Sequence, residues 1–213
     1  MIKGTYLSTV ADGSMKSKEN KEKFLEKKGI REIIIPELEH GKRVVRVGRG
    51  DKDKKITADG VFTTDDIALG VTVADCLPIY FYSDNLTAIF HAGWRGLDKG
   101  IVEEGLDKIS EVENLDNLSV FIGPAIGVCH YRVGKELVDK FSDFEDSILQ
   151  KEESFLNLKK VAKNKLKTKG VRNIRTSKEC TFCSRDRFSY RRDKKLKVML
   201  GVITPEIKNY EKN

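Results

Sequence analysis

Short apolar runs bounded by glycine, proline and charged residues recur along the chain and predict β-strands. These runs lie near residues 31–35, 43–47, 69–75, 77–82, 86–90, 118–122, 171–175 and 197–203. Apolar residues at helical spacing predict helices over 15–28, 99–112, 134–142 and 151–168, the first capped by Ser14 and ended by Gly29. Because the strands cluster ahead of the helices and do not alternate strictly with them, the pattern favours an α+β fold with mixed β-sheets.

Pro78 lies near the start of the predicted strand 77–82, which closely follows the predicted strand 69–75. Proline has no N–H group to donate to a sheet, so we expect the regular strand to break at Pro78 or to lie at a sheet edge. Asp75 and Cys76 would then sit at a strand end, where side chains from several strands can converge on a cleft.

The composition is typical of one globular domain over residues 1–213. No apolar stretch approaches the length of a membrane span, and the N-terminus has no apolar signal-peptide core. Four cysteines in 213 residues do not make a disulfide framework, which favours a reducing, cytoplasmic location. We expect a monomer or a small homo-oligomer that does not bind membranes.

The net charge of +7 raises the question of nucleic-acid binding. Lysines are spread over residues 16–28, 151–169 and 194–197, and glutamates are interleaved with them in the first two stretches. This pattern is typical of solvated helix faces with ion pairs, and no aromatic residues accompany the lysines as single-strand binding requires. We therefore expect no nucleic-acid partner, but a positive field that attracts anionic substrates.

Three strand boundaries carry residues that are suited to metal binding or catalysis. His91 ends an apolar run, Cys76 follows the strand 69–75, and His40 precedes the strand 43–47. Two imidazoles and a thiolate suit zinc or copper, and three protein ligands leave a fourth tetrahedral position open, as in catalytic zinc sites. The alternative is that His91 is a satisfied core histidine and that Cys76 is a small buried apolar residue.

Several motifs, in a fixed order, make the chain resemble a known family. They are Ala-Asp-Cys-Leu-Pro at 74–78, His-Ala-Gly-Trp-Arg-Gly-Leu at 91–97, Ile-Gly-Pro-Ala-Ile-Gly at 122–127 and Phe-Ser-Tyr-Arg-Arg-Asp at 188–193. Over about residues 31–203 the chain is similar to the YfiH or laccase-domain family, also called multicopper polyphenol oxidase or peptidoglycan editing factor. The family's first histidine falls on His40, although Leu38 and Glu39 replace the glutamine and valine that usually precede it.

The resemblance implies a cofactor, a fold and an activity. The cofactor is one zinc ion held by His40, Cys76 and His91, with copper as the less favoured metal. The fold is a mixed β-sheet sandwich flanked by helices, similar to the catalytic domain of cytotoxic necrotising factor. The activity is on purine nucleosides: deamination of adenosine, and phosphorolysis of adenosine, inosine or methylthioadenosine with phosphate.

Residues beside the ligands have more than one interpretation. Asp75 is a candidate acid–base group, and the alternative is a structural carboxylate that caps a turn or orients a ligating histidine. Phosphorolysis needs a cationic phosphate site, for which Arg95 is the first choice and Arg49 the second. Arg95 can instead pair with a carboxylate or stack on Trp94.

Two other functions would use the same region. A copper laccase ordinarily needs several copper ions and many histidines, and three histidines in the whole chain cannot supply them. A cysteine-type hydrolase that edits peptidoglycan precursors would use Cys76 as nucleophile and His91 as base. Metal content separates this hydrolase from the zinc enzyme.

A second zinc site is also conceivable at the Cys-x-x-Cys pair Cys180 and Cys183. It would need two further ligands, and Cys129 and His130 are the unassigned candidates. Core packing or a solvent-facing cysteine pair is the favoured interpretation. We expect His130 to line the pocket rim or to pack locally, and to be dispensable for the metal held by His91.

Overall fold

The fold was obtained as a computed structural model that describes residues 1–207. Its strands are β1 Thr5–Leu7, β2 Ile33–Ile34, β3 Val44–Arg46, β4 Gly60–Thr63, β5 Ala68–Val73, β6 Leu77–Tyr82, β7 Thr87–Ala92, β8 Ser119–Ile122, β9 Arg132–Val133, β10 Ile148–Gln150, β11 Ser154–Leu156, β12 Asn173–Thr176 and β13 Met199–Ile203. Its α-helices are α1 Lys18–Lys27, α2 Trp94–Lys99, α3 Ile101–Ser110, α4 Lys135–Lys140, α5 Leu158–Thr168 and α6 Tyr190–Asp193. None of the helices in this described range is long and apolar enough to cross a membrane.

The strands form three sheets, of which the two larger ones are mixed and the smallest is antiparallel. The six-stranded sheet has the order β12-β8-β6-β7-β4-β3, the four-stranded sheet the order β1-β13-β5-β2, and the three-stranded sheet the order β10-β11-β9. In the six-stranded sheet the outer pairs β3–β4 and β8–β12 are parallel, and the inner pairs are antiparallel. The fold is therefore α+β with mixed sheets, which confirms the predicted class. The likeness to cytotoxic necrotising factor stays a prediction.

The central strands β6 and β7 are buried along their whole length because both faces of their sheet are covered. Ile79 and Phe81 face the core that α2, α3 and α5 complete, whereas Tyr80 and Tyr82 pack toward the four-stranded sheet. On the far side of the four-stranded sheet, Phe24 of α1 closes a smaller core. Two-sided burial explains why these strands are apolar runs without alternation.

Strand pairing brings several chain segments to one edge of the six-stranded sheet. Pro78 near the start of β6 pairs with His91 near the end of β7, and Ile79 pairs with Ile122, the last residue of β8. At this same edge β12 ends and β4 and β3 begin, because β12 runs parallel to β8 and β4 antiparallel to β7. The segment that contains His40 precedes β3 and so reaches this edge too. Motifs that are distant in sequence thus meet in space.

The structure corrects the expectation for Pro78. β6 is a central strand and continues through Pro78. The missing N–H group is tolerated because the ladder with β8 begins one residue later, at Ile79. The carbonyl of Pro78 still accepts a hydrogen bond from the N–H of Gly123, just beyond β8.

Helix starts also differ from the sequence pattern. Ser17, and not Ser14, caps α1, because its side chain accepts a backbone N–H of the first turn. Where the sequence predicts the first part of the helix 151–168, the chain instead forms the β10–β11 hairpin. The helix α5 begins only after the side chain of Asn157 caps it.

Gly105 of α3 gives a test of how closely the helix layer packs on the sheet. A Cβ at this position would lie 2.2 Å from Cε2 of the fully buried Phe90. We expect Gly105→Ala to lower the free energy of unfolding by about 1–2 kcal/mol, since overpacking outweighs the helix propensity of alanine. Gly50→Ala is the control, because no atom lies within 4 Å of its Cβ. Equal urea midpoints for the two variants would contradict the packing argument.

Candidate functional site

The three candidate metal ligands line one small cavity at this sheet edge. The cavity has a volume of about 40 Å³, and its lining residues are His40, Cys76, His91, Gly93, Trp94, Arg95 and Gly96. The rings of His40 and His91 meet edge to face, with their centroids 4.9 Å apart. Because a water molecule occupies about 30 Å³ in the liquid, the cavity has room for an ion or one small ligand. A nucleoside would have to lie over the outer rim.

A buried carboxylate that the sequence analysis missed, Asp59, connects the two histidines. Its side chain is fully buried just before β4, and its two oxygens accept the backbone N–H groups of His40 at 2.8 Å and Gly41 at 2.7 Å. Its Oδ1 also lies 3.6 Å from Nδ1 of His91. A carboxylate behind an imidazole fixes the orientation of the ring and is typical of metal-ligating histidines. Asp59 therefore anchors the backbone at His40 by hydrogen bonds and places a negative charge 3.6 Å from Nδ1 of His91.

The two histidines have opposite protonation preferences. Burial lowers the pKa of His91, but the negative charges of Cys76 and Asp59 outweigh burial and raise it to about 9. Burial and the neighbouring charge of His91 lower the pKa of His40. At neutral pH the His40 ring is therefore neutral and offers a lone pair, whereas His91 carries a proton that a metal ion would have to displace.

Cys76 reaches the cavity because residue 93 is a glycine. A Cβ at position 93 would lie only 2.9 Å from Sγ of Cys76, closer than two such atoms normally approach. The thiol is within hydrogen-bonding reach of the His91 side chain. The Gly in the His-Ala-Gly-Trp segment thus has a packing reason, which is to leave space for the sulfur atom.

Asp75, next to Cys76, points its carboxylate toward the C-terminal part of the chain. It accepts hydrogen bonds from Oγ1 of Thr181 at 2.6 Å, Oγ of Ser189 at 3.1 Å and the backbone N–H of Arg191 at 2.7 Å. The carboxylate is 8 % exposed and is not among the groups that line the cavity. These contacts favour the structural alternative, in which Asp75 anchors the residues around Cys76.

The two candidate phosphate-binding arginines lie in different places. Arg95 lines the cavity, and its guanidinium lies over the ring of Trp94 at 4.4 Å from the centroid. Arg49 follows β3, where its guanidinium donates a hydrogen bond to the carbonyl of Asp66 and forms an ion pair with Glu32. This end of β3 is opposite the end that carries His40. The structure thus separates Arg49 from the site and corrects its assignment as a substrate ligand.

Tyr131 is a further residue near the cavity. It is largely buried, and burial together with the charge of Cys76 raises its pKa to about 12. Its phenol is therefore protonated at neutral pH and can donate a hydrogen bond. Its signal in the sequence was its position soon after the Ile-Gly-Pro-Ala-Ile-Gly motif and next to His130.

Cys180 is half-buried and Cys183 is exposed, so the pair is not packed in the core. Their sulfur atoms, that of Cys129 and a ring nitrogen of His130 all lie within 4.8 Å of one another, so this cluster could hold a metal ion. Within residues 1–207, no other group of three or more such side chains has its ligand atoms this close together. The ligand atoms of His40, Cys76 and His91 therefore do not all lie within 4.8 Å of one another. His130 stacks on Phe182 and is not among the residues that line the cavity.

Comparisons with known proteins agree with the motifs. The sequence profile of the family described as multi-copper polyphenol oxidoreductase laccase matches residues 6–206. The purine nucleoside phosphorylase of Aquifex aeolicus is 34 % identical over 176 residues, which cover 81 % of this chain and 82 % of that protein. The crystal structure of the hypothetical protein YfiH from Bacillus licheniformis has a TM-score of 0.81 at 32 % identity, covering 87 % of this chain and 79 % of that one. The structure of YlmD from Geobacillus stearothermophilus has a TM-score of 0.87 at 27 % identity, covering 95 % and 92 %. The chain therefore belongs to the multi-copper polyphenol oxidoreductase laccase family, which is the YfiH family that its motifs indicate.

Proposed function

We propose that this protein is a zinc-dependent purine nucleoside enzyme. It cleaves adenosine, inosine or methylthioadenosine with phosphate, and it deaminates adenosine. The observation that carries the proposal is the meeting of His40, Cys76 and His91 at one cavity. The name of the Aquifex aeolicus relative supports the phosphorolytic activity, whereas deamination rests on the donor set alone.

The chemistry of the residues fits one zinc ion held by His40, Cys76 and His91. Two imidazoles and a thiolate are the donor types that zinc prefers, and they leave one position for a substrate atom or water. Nδ1 of His91 is buried without a hydrogen bond, and the nearest carboxylate is that of Asp59. This orphaned atom supports a ring whose other nitrogen serves as a ligand. When bound, zinc supplies Lewis-acid chemistry and activates water at neutral pH.

The side chains at the rim match the needs of phosphorolysis. In that reaction a phosphate oxygen bonds to C1′ of the ribose, the C1′–N9 bond breaks, and the departing purine takes up a proton. Arg95 supplies a permanent cation for the phosphate, and stacking on Trp94 holds its planar guanidinium in place. The protonated phenol of Tyr131, which is close enough to interact with the charges of Cys76 and Arg95, is a candidate hydrogen-bond donor. In deamination, water adds at C6 of adenine and ammonia leaves.

One observation favours a second candidate function, that of a cysteine hydrolase. His91 contacts the thiol of Cys76 on one side and faces the carboxylate of Asp59 on the other. This is the order of nucleophile, base and orienting acid in cysteine-dependent hydrolases, which work without a metal. The family name points to a copper oxidase, but three histidines in the chain argue against several copper ions.

The metal-dependent and metal-free candidates predict different behaviour of Cys76 variants. The zinc-loaded protein should convert inosine and phosphate into hypoxanthine and ribose 1-phosphate, and Cys76→Ala should lose the zinc of the cavity and the activity together. Cys76→Asp, which keeps an oxygen ligand, should retain weak metal binding and trace activity. Product chromatography measures the activity, and elemental analysis measures the metal content. Activity that survives exhaustive chelation, with a covalent adduct on Cys76 by mass spectrometry, would instead establish the hydrolase.

Asp59→Asn tests whether the buried carboxylate supports the metal ligands. We expect zinc affinity at this site to fall about 10- to 100-fold, because the variant loses the charge behind His91 and part of the anchor for His40. The control is Asp53→Asn, an exposed aspartate, which should bind zinc as the wild type does. Competition with a chromophoric chelator gives both constants. An unchanged constant in Asp59→Asn would show that Asp59 serves folding alone.

The raised pKa of His91 predicts how zinc binding depends on pH. Below about pH 9 the ring is protonated without metal, so each bound ion must displace at least one proton. The apparent dissociation constant should therefore fall at least ten-fold for each pH unit between 6 and 8, since the thiol of Cys76 also has to lose its proton when it binds zinc. In Asp59→Asn the dissociation constant should become independent of the His91 proton at a lower pH than in the wild type, since Asp59 is one cause of the raised pKa of His91. A dissociation constant that is flat above pH 6.5 in the wild type would contradict the assignment of His91.

A further inference from the structure

We propose that Cys129, His130, Cys180 and Cys183 hold a second zinc ion, whose role is structural. It would fasten the segment 177–193 to the loop that follows β8. The proposal uses residues other than those of the cavity, so it does not depend on the proposed function.

The distances within the cluster match the edges of a zinc tetrahedron. Sγ of Cys129 and Sγ of Cys183 are 3.7 Å apart, and Sγ of Cys183 lies 3.3 Å from Nδ1 of His130. With a Zn–S distance of about 2.3 Å and a Zn–N distance of about 2.0 Å, tetrahedral edges measure about 3.8 Å and about 3.5 Å. Three thiolates and one imidazole form a ligand set that is common in closed structural zinc sites.

The sheet topology explains why residues 50 positions apart meet here. β8 and β12 are parallel neighbours, so the loops that follow them leave from the same edge of the sheet. Beyond the strands the two loops stay paired, through a bridge between Ala125 and Cys180 and a hydrogen bond from the N–H of Thr181 to the carbonyl of Ala125. Cys129 and His130 lie on one loop, and the Cys-x-x-Cys pair lies on the other.

The groups around the cluster resemble the supporting contacts of metal thiolates. The backbone N–H groups of Gly127 and Cys183 donate hydrogen bonds to Sγ of Cys180. The ring of His130 stacks on Phe182 with centroids 4.1 Å apart, which fixes the ring while Nδ1 contacts Cys183. Such outer contacts orient the ligands before the metal arrives.

A buried lysine supplies the charge that the cluster would need. Zn²⁺ with three thiolates and a neutral imidazole carries a net charge of −1. Lys159 of α5 is 9 % exposed, and its Nζ donates to the carbonyls of Ser177 and Glu179, immediately before the Cys-x-x-Cys pair. It is close enough to Cys180 and Cys129 to interact with their charges. An ammonium group buried at this position offsets the charge of a thiolate-rich site.

The contacts of the clamped segment indicate what the second zinc would do. The same segment carries Thr181, Ser189 and Arg191, which hold the carboxylate of Asp75. Asp75 is the neighbour of the cavity residue Cys76. A zinc ion with four protein ligands has no position for a substrate. The second zinc would therefore affect the cavity only indirectly, by holding the segment that binds the carboxylate of Asp75.

Metal content of single variants tests the proposal in the full chain. Cys183→Ser removes a ligand that is exposed to solvent, so the fold should survive, which circular dichroism checks. This variant should contain one zinc equivalent less than the wild type. Cys76→Ser is the matched control and should keep the zinc of the cluster, whether or not the cavity binds metal. Wild-type protein loaded with Co²⁺ should show the strong charge-transfer absorption of several thiolates, which Cys183→Ser should largely lose and Cys76→Ser should keep.

Two results would overturn the second zinc site. One is an equal zinc content in the wild type and in folded Cys183→Ser. The other is a disulfide between Cys129 and Cys183 in freshly isolated, folded protein without metal at the cluster, found by mass spectrometry of non-reduced peptides. If Cys183→Ser does not fold, the cobalt spectrum of the wild type decides, because absorption from a single thiolate per ion would exclude a three-thiolate site.

Discussion

The antiparallel pairing of β6 with both β7 and β8 is the constraint on which both Cys–His sites depend. It fixes Pro78 opposite His91 and Ile79 opposite Ile122, and so sets which strand ends share an edge. In a β-sheet a register shift of one residue turns every side chain to the opposite face. Such a shift would exchange the tyrosines and the aliphatic residues of β6 between two different cores. Burial on both faces therefore protects the positions of the site residues.

Two buried carboxylates hold the loops at the strand ends in fixed positions relative to the sheet. Asp59 accepts the N–H groups at the start of one loop, and Asp75 accepts donors from a segment over a hundred residues further along the chain. A buried carboxylate without donors is costly by several kcal/mol, so each loop is held in the one arrangement that satisfies its acceptor. Each carboxylate thus restrains a segment that carries or adjoins a residue of the cavity, His40 in one case and Cys76 in the other.

The sequence predicts the fold class and most of the strands around the site because their apolar runs are unmistakable, but it does not predict β4. It predicts His40, Cys76 and His91 as a group, since few residues of these types exist and the motifs order them. Asp59 is not predicted as a site residue, because one aspartate among 33 acidic residues carries no periodic signal. Arg49 is a candidate only as a cation that could bind phosphate, and its charge does not reveal that β3 lies between it and His40. The proximity of Cys129 to Cys180 depends on the parallel β8–β12 pair, a long-range contact that no local pattern encodes.

The backbone at His40 and Asp75 carries a conformational cost that, among the non-glycine residues of 1–207, only Lys194 shares. Both residues have positive φ angles, 56° and 79°, which L-amino acids other than glycine adopt at a penalty of about 1–2 kcal/mol. At position 40, selection for stability alone would favour glycine, and the proposed ligand role keeps an imidazole there. At Asp75 the three donors that its carboxylate accepts offset the cost of the backbone. In this family, a lineage that no longer needs the cavity should therefore drift toward glycine at position 40 while it keeps the carboxylate at position 75, so position 40 records in sequence whether the chemistry is still in use.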